Sequence, residues 1–266
     1  MKTIQLRAVA VALALATLCL SGCASSTSKP TVAPRLVDAR ADEQLKRMTS
    51  CLAGLGSFSF EAEVRYDDYL VDSQKVEFGR RVAVDVRRPN RIRALADGDI
   101  KRMRYWYDGN RTVVLDVDSN QYSEAPAPAT IDAVLTAMAE KYGFVLPLAE
   151  LIATDSYRWM MSSVESAAYV GERLIDGKPC HHLAYEQPTL DWQIWIESGE
   201  PALPRRLLIS YKQLPNCPQY EVSFKRWSPD AMLSDAEFAV RLPEGATKID
   251  LRPPDRIVGT KTMAKN

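Results

Sequence analysis

Two periodicities divide this chain. Leu45, Met48, Leu52 and Leu55 recur every three or four residues within 36–55, the spacing of one helix face. Gly54 and Gly56 close that stretch. From Phe58 the period becomes two. Phe58, Phe60, Ala62, Val64 and Tyr66 alternate with Ser59, Glu61, Glu63 and Arg65, the pattern of a strand with one buried and one wet face. Val82, Val84 and Val86 repeat it against Arg81, Asp85 and Arg87, and residues 92–96, 102–107 and 112–117 continue it. Asp97-Gly98, Asp108-Gly109 and Asp118-Ser119-Asn120 punctuate these runs. Asp-Gly suits hairpin turns because glycine takes positive φ freely, so neighbouring strands are expected to be antiparallel and to form a meander.

The helical period then returns. Thr130 is placed to cap a helix whose stripe is Ile131, Val134, Leu135, Met138 and Tyr142, with Gly143 as its stop. Residues 147–153 and 156–163 read as two shorter helices. The meander resumes at 164–175, turns at Asp176-Gly177 into 178–186, and continues through 191–197, 205–211 and 220–227. Residues 235–240 are expected to add a last strand. The fold expected is mainly β with some α: a curved antiparallel sheet or open half-barrel of about ten strands. Such a sheet is nearly 50 Å wide at about 4.8 Å per strand. Three helices roughly 10 Å across cover little more than half of it. The sheet is therefore expected to curl around an N-terminal helix and central helices that plug its concave face, leaving room for a pocket beside the plug.

The N-terminus carries an address. Lys2 and Arg7 precede an uncharged run rich in Ala, Leu and Val, the form of a secretory signal peptide. It ends in Leu20-Ser21-Gly22-Cys23, which resembles the bacterial lipobox. That resemblance implies cleavage before Cys23 and acylation of both its thiol and its new amine. The alternative is a secreted protein with an unmodified Cys23. Several acyl chains hold a protein on a membrane stably, where one short chain does not. Residues 1–22 are thus read as signal and 23–35 as lipidated Cys23 plus a small, polar, Pro-containing linker, able to reach roughly 35–40 Å. By resemblance to lipoprotein sorting rules, Ala24 in place of Asp implies the outer membrane, facing the periplasm. Residues 36–250 are read as one domain and 251–266 as a polar tail.

The chain has 34 basic and 34 acidic residues. It shows no basic block interleaved with aromatics, so nucleic acid is not an expected partner. Of five cysteines, Cys51, Cys180 and Cys217 remain after the signal and Cys23 are set aside. In an oxidising compartment three thiols allow one disulfide, with Cys180–Cys217 the first pairing to consider, or three buried reduced thiols.

The lipobox, the linker, the N-terminal helix and the long meander with helices in its middle resemble the LolA/LolB lipoprotein-localisation fold. Four segments look more like an uncharacterised branch of predicted periplasmic proteins: Arg104-Tyr105-Trp106-Tyr107-Asp108-Gly109, Cys180-His181-His182-Leu183-Ala184, Asp191-Trp192-Gln193-Ile194-Trp195-Ile196 and Leu203-Pro204-Arg205-Arg206. The resemblance spans about residues 40–250. It implies an unclosed barrel with a helical lid that carries or receives acyl chains, and the lipidated layout is that of an anchored receptor. No residue here matches the lipid-handling positions of those carriers, so none is carried over.

Candidate chemistry is sparse. His181 and His182 are the only histidines and, as strand neighbours, point to opposite faces. Cys180 and His182 share a face and form a conceivable thiol–imidazole pair. There is no G-x-S-x-G, no His-Glu-x-x-His and no Cys-x-x-Cys, and neither a metal nor a cofactor is expected. Arg87, Arg88, Arg91, Arg93, Arg102 and Arg104 form a stripe that reads either as a site for phosphate head groups or as a solvated outer face guarding strand edges. Met138, Met160 and Met161 read as core filler or as an adaptable pocket lining.

The expected function is therefore non-enzymatic binding of a lipid, an acyl chain or a lipoprotein anchor. The cavity residues expected are Phe58, Phe60, Val82, Val84, Met103, Tyr105, Tyr107, Trp192 and Ile194 from the sheet, with Val134, Leu135 and Met138 from the central helix. The alternative is an interaction or sensor module that meets an envelope protein, its cavity filled by side chains. A thiol enzyme at Cys180 and His182 is the third reading. An open cavity and a filled one use the same alternation.

Overall fold

The computed structural model describes residues 36–69, 74–146 and 148–251. The signal peptide, Cys23, the linker and residues 252–266 of the tail lie outside the described residues. Those described belong to one compact unit, Arg35–Asn266.

The chain starts with β1 (Leu36–Val37) and α1 (Ala39–Gly54). Asp38 caps α1 by accepting hydrogen bonds from the Arg40 and Ala41 amides at 2.7 and 3.2 Å. The helix expected from residue 36 thus begins three residues later. Leu36 and Val37 instead lie parallel to Ser166 and Ala167. Ala41, Leu45, Met48 and Leu52 form the buried stripe. At its far end Arg88 donates from Nε to the Leu55 carbonyl (3.2 Å) and from Nη2 to that of Leu52 (3.4 Å).

The first meander comprises β2 (Ser57–Tyr69), β3 (Lys75–Arg87), β4 (Arg91–Gly98), β5 (Arg102–Tyr107), β6 (Arg111–Asp116) and β7 (Gln121–Pro126). Then come α2 (Ile131–Tyr142), α3 (Ala149–Ile152) and α4 (Ser156–Met161). Thr130 caps α2 through the Ala133 amide, and Gly143 ends it at φ 62°. The second meander is β8 (Ser166–Ile175), β9 (Lys178–Glu186), β10 (Asp191–Glu197), β11 (Pro204–Ser210) and β12 (Gln219–Ser228). Asp176 and Gly177 make its first turn with φ of 48° and 75°, the left-handed pair that a two-residue hairpin needs.

Among the described residues thirteen strands join one open sheet in the order β1-β8-β9-β10-β11-β12-β2-β3-β4-β5-β6-β7-β13, where β13 is Thr247–Lys248. Every pairing is antiparallel except those of the two short outer strands, β1 on β8 and β13 on β7. The expected mainly β, curved and unclosed sheet with helices on its inner face is what forms. The helix stripes share one hydrophobic core with the inward residues of the sheet.

Three features depart from the alternation. Strand β7 was not marked by an apolar alternation, because its buried inner residues are only Ser123 and Ala125. Residues 235–240, expected to be a strand, instead begin with α5 (Asp235–Phe238). A reciprocal Ser234/Glu237 capping box satisfies its first amides, and that local bonding outweighs the short β pattern. Register shifts between Phe224 and Arg226, where β12 faces β2, so Trp227 returns to the inner face and meets Phe60 at 4.8 Å.

The cysteine expectations are also corrected. Cys51, Cys180 and Cys217 are all free, and Cys217 is exposed, so neither the Cys180–Cys217 disulfide nor three buried thiols forms. Cys217 follows Asn216 in a turn, both at positive φ, and its thiol approaches the Lys212 carbonyl, whereas that of Cys180 donates to Lys178.

Candidate functional site: a recess on the concave face

Strand parity decides which side chains meet the plug. Along β3, Arg80 has the same parity as Val82, Val84 and Val86, so it too projects to the concave side. Opposite this end of β3 lies the connection between α2 and α3, residues 143–146, which belongs to no helix or strand. Between them is a recess of about 70 Å³ lined mainly by Val82, Ala94, Met103, Tyr105, Phe144 and Leu146, with Arg80 and Arg104 among its other walls.

Most of its lining is apolar, and its polar groups are few. Phe144 stacks on Tyr105 with ring centroids 5.8 Å apart. The Tyr105 hydroxyl is buried without a hydrogen-bond partner, and burial pushes its ionisation far above the ordinary phenol range. Arg80 holds its guanidinium over the rings of Tyr66 and Tyr220, at 5.1 and 5.5 Å. Its Nη2 donates to the Tyr220 hydroxyl at 3.2 Å, while its Nε is buried and unpartnered. Among the described residues no carboxylate forms an ion pair with Arg80. Nearby on α3, burial raises the Glu150 carboxyl.

Of the residues expected to line a cavity, Val82, Met103 and Tyr105 border this recess. Phe58, Phe60, Val84, Tyr107, Val134, Leu135, Met138, Trp192 and Ile194 are buried in the packed core. Trp192 and Ile194 sit on β10, four strands from β3. Trp192 lies on Tyr185 with centroids 3.8 Å apart, and the Tyr185 hydroxyl donates to the Ala41 carbonyl of α1. That end of the half-barrel is filled by α1. Met138, Met160 and Met161 are buried as core side chains, Met138 lying 3.6 Å from the Thr112 hydroxyl of β6.

Sequence reading missed Arg80, Phe144 and Leu146. For Arg80 the signal was present: it stands two residues before Val82 in a run of alternating inward positions. Phe144 and Leu146 follow the Gly143 stop and carry no period at all.

The arginine stripe is largely paired within the chain. Arg93 meets Asp85 at 2.6 Å, Arg102 meets Asp118 at 2.7 Å and Arg104 meets Asp97 at 2.6 Å. Arg87 bonds Asp235, Arg91 bonds the Asp108 carbonyl, and Arg88 serves α1. The Arg93 and Arg102 pairs belong to the outer face, Arg104 also borders the recess, and Arg88 lies over the core ring of Phe58 at the end of α1. The Cys180 and His182 side chains are separately engaged. Burial pushes the Cys180 thiol up to about 11, which keeps it protonated and weakly nucleophilic at neutral pH. His182 bonds Gln193 at 2.8 Å and stacks on Trp195, over which Arg206 lies.

Solved structures of similar shape are distant in sequence. An uncharacterised conserved protein of Thermus thermophilus is 13% identical, with 79% of this chain and 99% of that one covered and a TM-score of 0.46. The Mycobacterium tuberculosis lipoprotein LppX is 14% identical, with 74% and 100% covered and a TM-score of 0.45. A LolA superfamily protein of Nitrosomonas europaea is 10% identical, with 75% and 97% covered and a TM-score of 0.36. No curated protein sequence matches the chain. The family model for predicted periplasmic proteins of the DUF2092 type matches residues 41–252, which is most of the chain, and this protein belongs to that family.

Proposed function

We propose that this protein is a lipid-anchored periplasmic receptor that binds the acyl chain of a lipid or of a lipoprotein anchor on the concave face of its half-barrel. In this reading Cys23 holds it to the membrane, the outer membrane being the one Ala24 favours, and it performs no catalysis. The observation that carries the reading is the apolar recess between β3–β6 and residues 143–146. It is closed by Phe144 and Leu146, side chains of a connection whose described residues 143–146 belong to no strand. At about 70 Å³ the recess is smaller than the ~150 Å³ cavity that admits one benzene ring. Binding a chain therefore requires these two side chains to give way, against their own contacts and the backbone bonds that tie residues 144 and 146 to α2 and α3.

Native mass spectrometry of protein released gently from membranes tests this. Adducts of lipid mass, and uptake of a fluorescent fatty acid by the delipidated protein, are expected. Absence of both would overturn the reading.

A second reading, an interaction or sensor module, is favoured by strand β8. β1 covers only Ser166 and Ala167 of it, and further along Val170 and Leu174 are exposed. An added strand from an envelope protein would fit that edge. Crosslinking in cells from position 174 would then recover one stoichiometric partner, and fatty-acid uptake would fail.

A further inference from the structure

The register fixes the end of the sheet at which the chain enters the fold. β1 starts at Leu36, which pairs with Ser166, the first residue of β8. Ser166 pairs with Glu186, Glu186 with Asp191 and Asp191 with Ser210. Ser210 pairs with Gln219 across the turn of residues 211–218, and the next residue, Tyr220, pairs with Tyr66 near the end of β2. The turn of residues 99–101 lies at this end too, since Gly98 pairs with Arg80 in the first half of β3.

Both turns are anchored, and both carry an exposed apolar side chain. Asp99 accepts from the Gly79 amide at 2.6 Å, and its own amide donates to the Gly79 carbonyl at 3.0 Å. The Tyr69 hydroxyl donates to the Pro215 carbonyl, and Gln213 donates to that of Pro188 at 3.2 Å. Ile100 is 58% exposed, Leu214 37% and Leu36 77%. The charged groups of this rim are paired: Lys75 with Asp67, Lys101 with Asp116, Arg102 with Asp118 and Lys212 with Asp191.

Exposed aliphatic side chains alone do not choose an end, because single ones are ordinary and the opposite end has Leu174 and Met232. The tether chooses. Residues 24–35 separate Cys23 from Leu36, and a chain of that length spans on average about 20 Å. The nine residues of β9 run about 30 Å from one end of the sheet to the other. Laying the far end on the membrane would stretch the tether past the whole length of the sheet, whereas the Leu36 end rests there at its mean span.

Resting on the lipid-anchor reading above, we infer that the Leu36 end of the half-barrel is a membrane-docking rim, on which Leu36, Ile100 and Leu214 enter the head-group layer of the bilayer that holds Cys23. Apolar side chains favour that layer, and with the rim's charges paired the contact does not depend on anionic lipid. The recess lies against the same end, because Ala96 and Met103 of its lining stand just before and just after the turn of residues 99–101. An amphiphile then moves between bilayer and recess along the rim.

Cys217 is exposed on this rim, three residues from Leu214, and serves as the reporter. The full-length lipoprotein, labelled there with an environment-sensitive fluorophore, is reconstituted into phosphatidylcholine vesicles that contain a lipid with a nitroxide on its head group. Emission from Cys217 is expected to be quenched and blue-shifted. The same label in a Cys217→Ser, Met232→Cys chain, at the opposite end, is expected to be unaffected. Adding phosphatidylglycerol should change neither result. Ile100→Asp combined with Leu214→Asp should abolish quenching at Cys217 while the protein still floats with the vesicles. Equal quenching at the two ends, quenching that survives the double substitution, or quenching confined to anionic vesicles overturns the docking rim and leaves the anchor reading standing. Failure of the protein to float, or flotation undiminished in Cys23→Ser, overturns the anchor and the docking rim with it.

Discussion

Phe144 lies nearly parallel to Tyr105, with ring planes 17° apart and centroids separated by 5.8 Å. One ring belongs to β5 of the sheet and the other to a connection outside any helix or strand. The sheet side of the recess is therefore fixed by the sheet's backbone hydrogen bonds, whereas the other side is tied to the flanking helices, the Phe144 amide donating to the Met138 carbonyl and the Ala149 amide to the Leu146 carbonyl, both at 3.1 Å.

Removing that contact separates stability from binding. Phe144→Ala is expected to cost about 1–2 kcal/mol, less than a fully buried phenylalanine because Phe144 is only half-buried. The same change enlarges the recess, so dodecanoate should bind more tightly. Urea unfolding and a fluorescence titration measure the two effects. Weaker binding in the variant would mean that Phe144 holds the ligand instead of giving way to it.

The junction of the two meanders should be the most sensitive part of the sheet. Phe224 of β12 is fully buried, 5.7 Å from Phe60 of β2 and 5.4 Å from Trp227. Phe224→Ala is expected to cost about 3–5 kcal/mol in equilibrium unfolding. Met232→Ser, at a position 98% exposed, should change stability by less than about 0.5 kcal/mol.

Glu150 introduces a pH dependence with a definite sign. Burial raises its carboxyl in the folded state. The folded protein thus holds this proton more tightly than the unfolded chain. The associated stability is complete below the unfolded value of about 4.3 and is lost as pH rises through the higher folded value. His181 and His182, both lowered by burial, act the other way and lose stability as pH falls below the ordinary imidazole value. Glu150→Gln isolates the carboxyl: the variant should gain in Tm over the wild type at pH 8 and approach parity at pH 4. An equal difference at both pH values would contradict the assignment.

The thiols should react in an order set by exposure. Cys217 is exposed, Cys51 is half-buried with its thiol raised by burial, and Cys180 is fully buried with its thiol pushed up to about 11. Peptide mapping after brief alkylation at pH 8 should find Cys217 modified first, then Cys51, with Cys180 untouched until the protein unfolds. Early modification of Cys180 would require an open route to the underside of β9.

Much of the scaffold could be read locally. The helix faces of α1 and α2, the Thr130 cap, the Gly143 stop and the Asp-Gly turns each depend on residues within a few positions of one another. Side-chain parity along β10 places Trp192 and Ile194 inside in the same way. The α5 capping box at Ser234 and Glu237 was equally local, and its S-x-x-E signature outranks the alternation that pointed to a strand. Strand β7 escaped notice because pairing with β6, not an apolar pattern, makes it a strand.

The sequence by itself determined most of the sheet-forming segments, their faces and the longer helices set among them, because period and turn chemistry are short-range. Only the tertiary structure decided that β12 closes onto β2, that α1 fills one end of the half-barrel, and that Arg80 and Tyr105 share a recess under Phe144. Those outcomes join residues far apart in the chain. They depend on how much volume the helices occupy inside the curve, a quantity no local pattern carries.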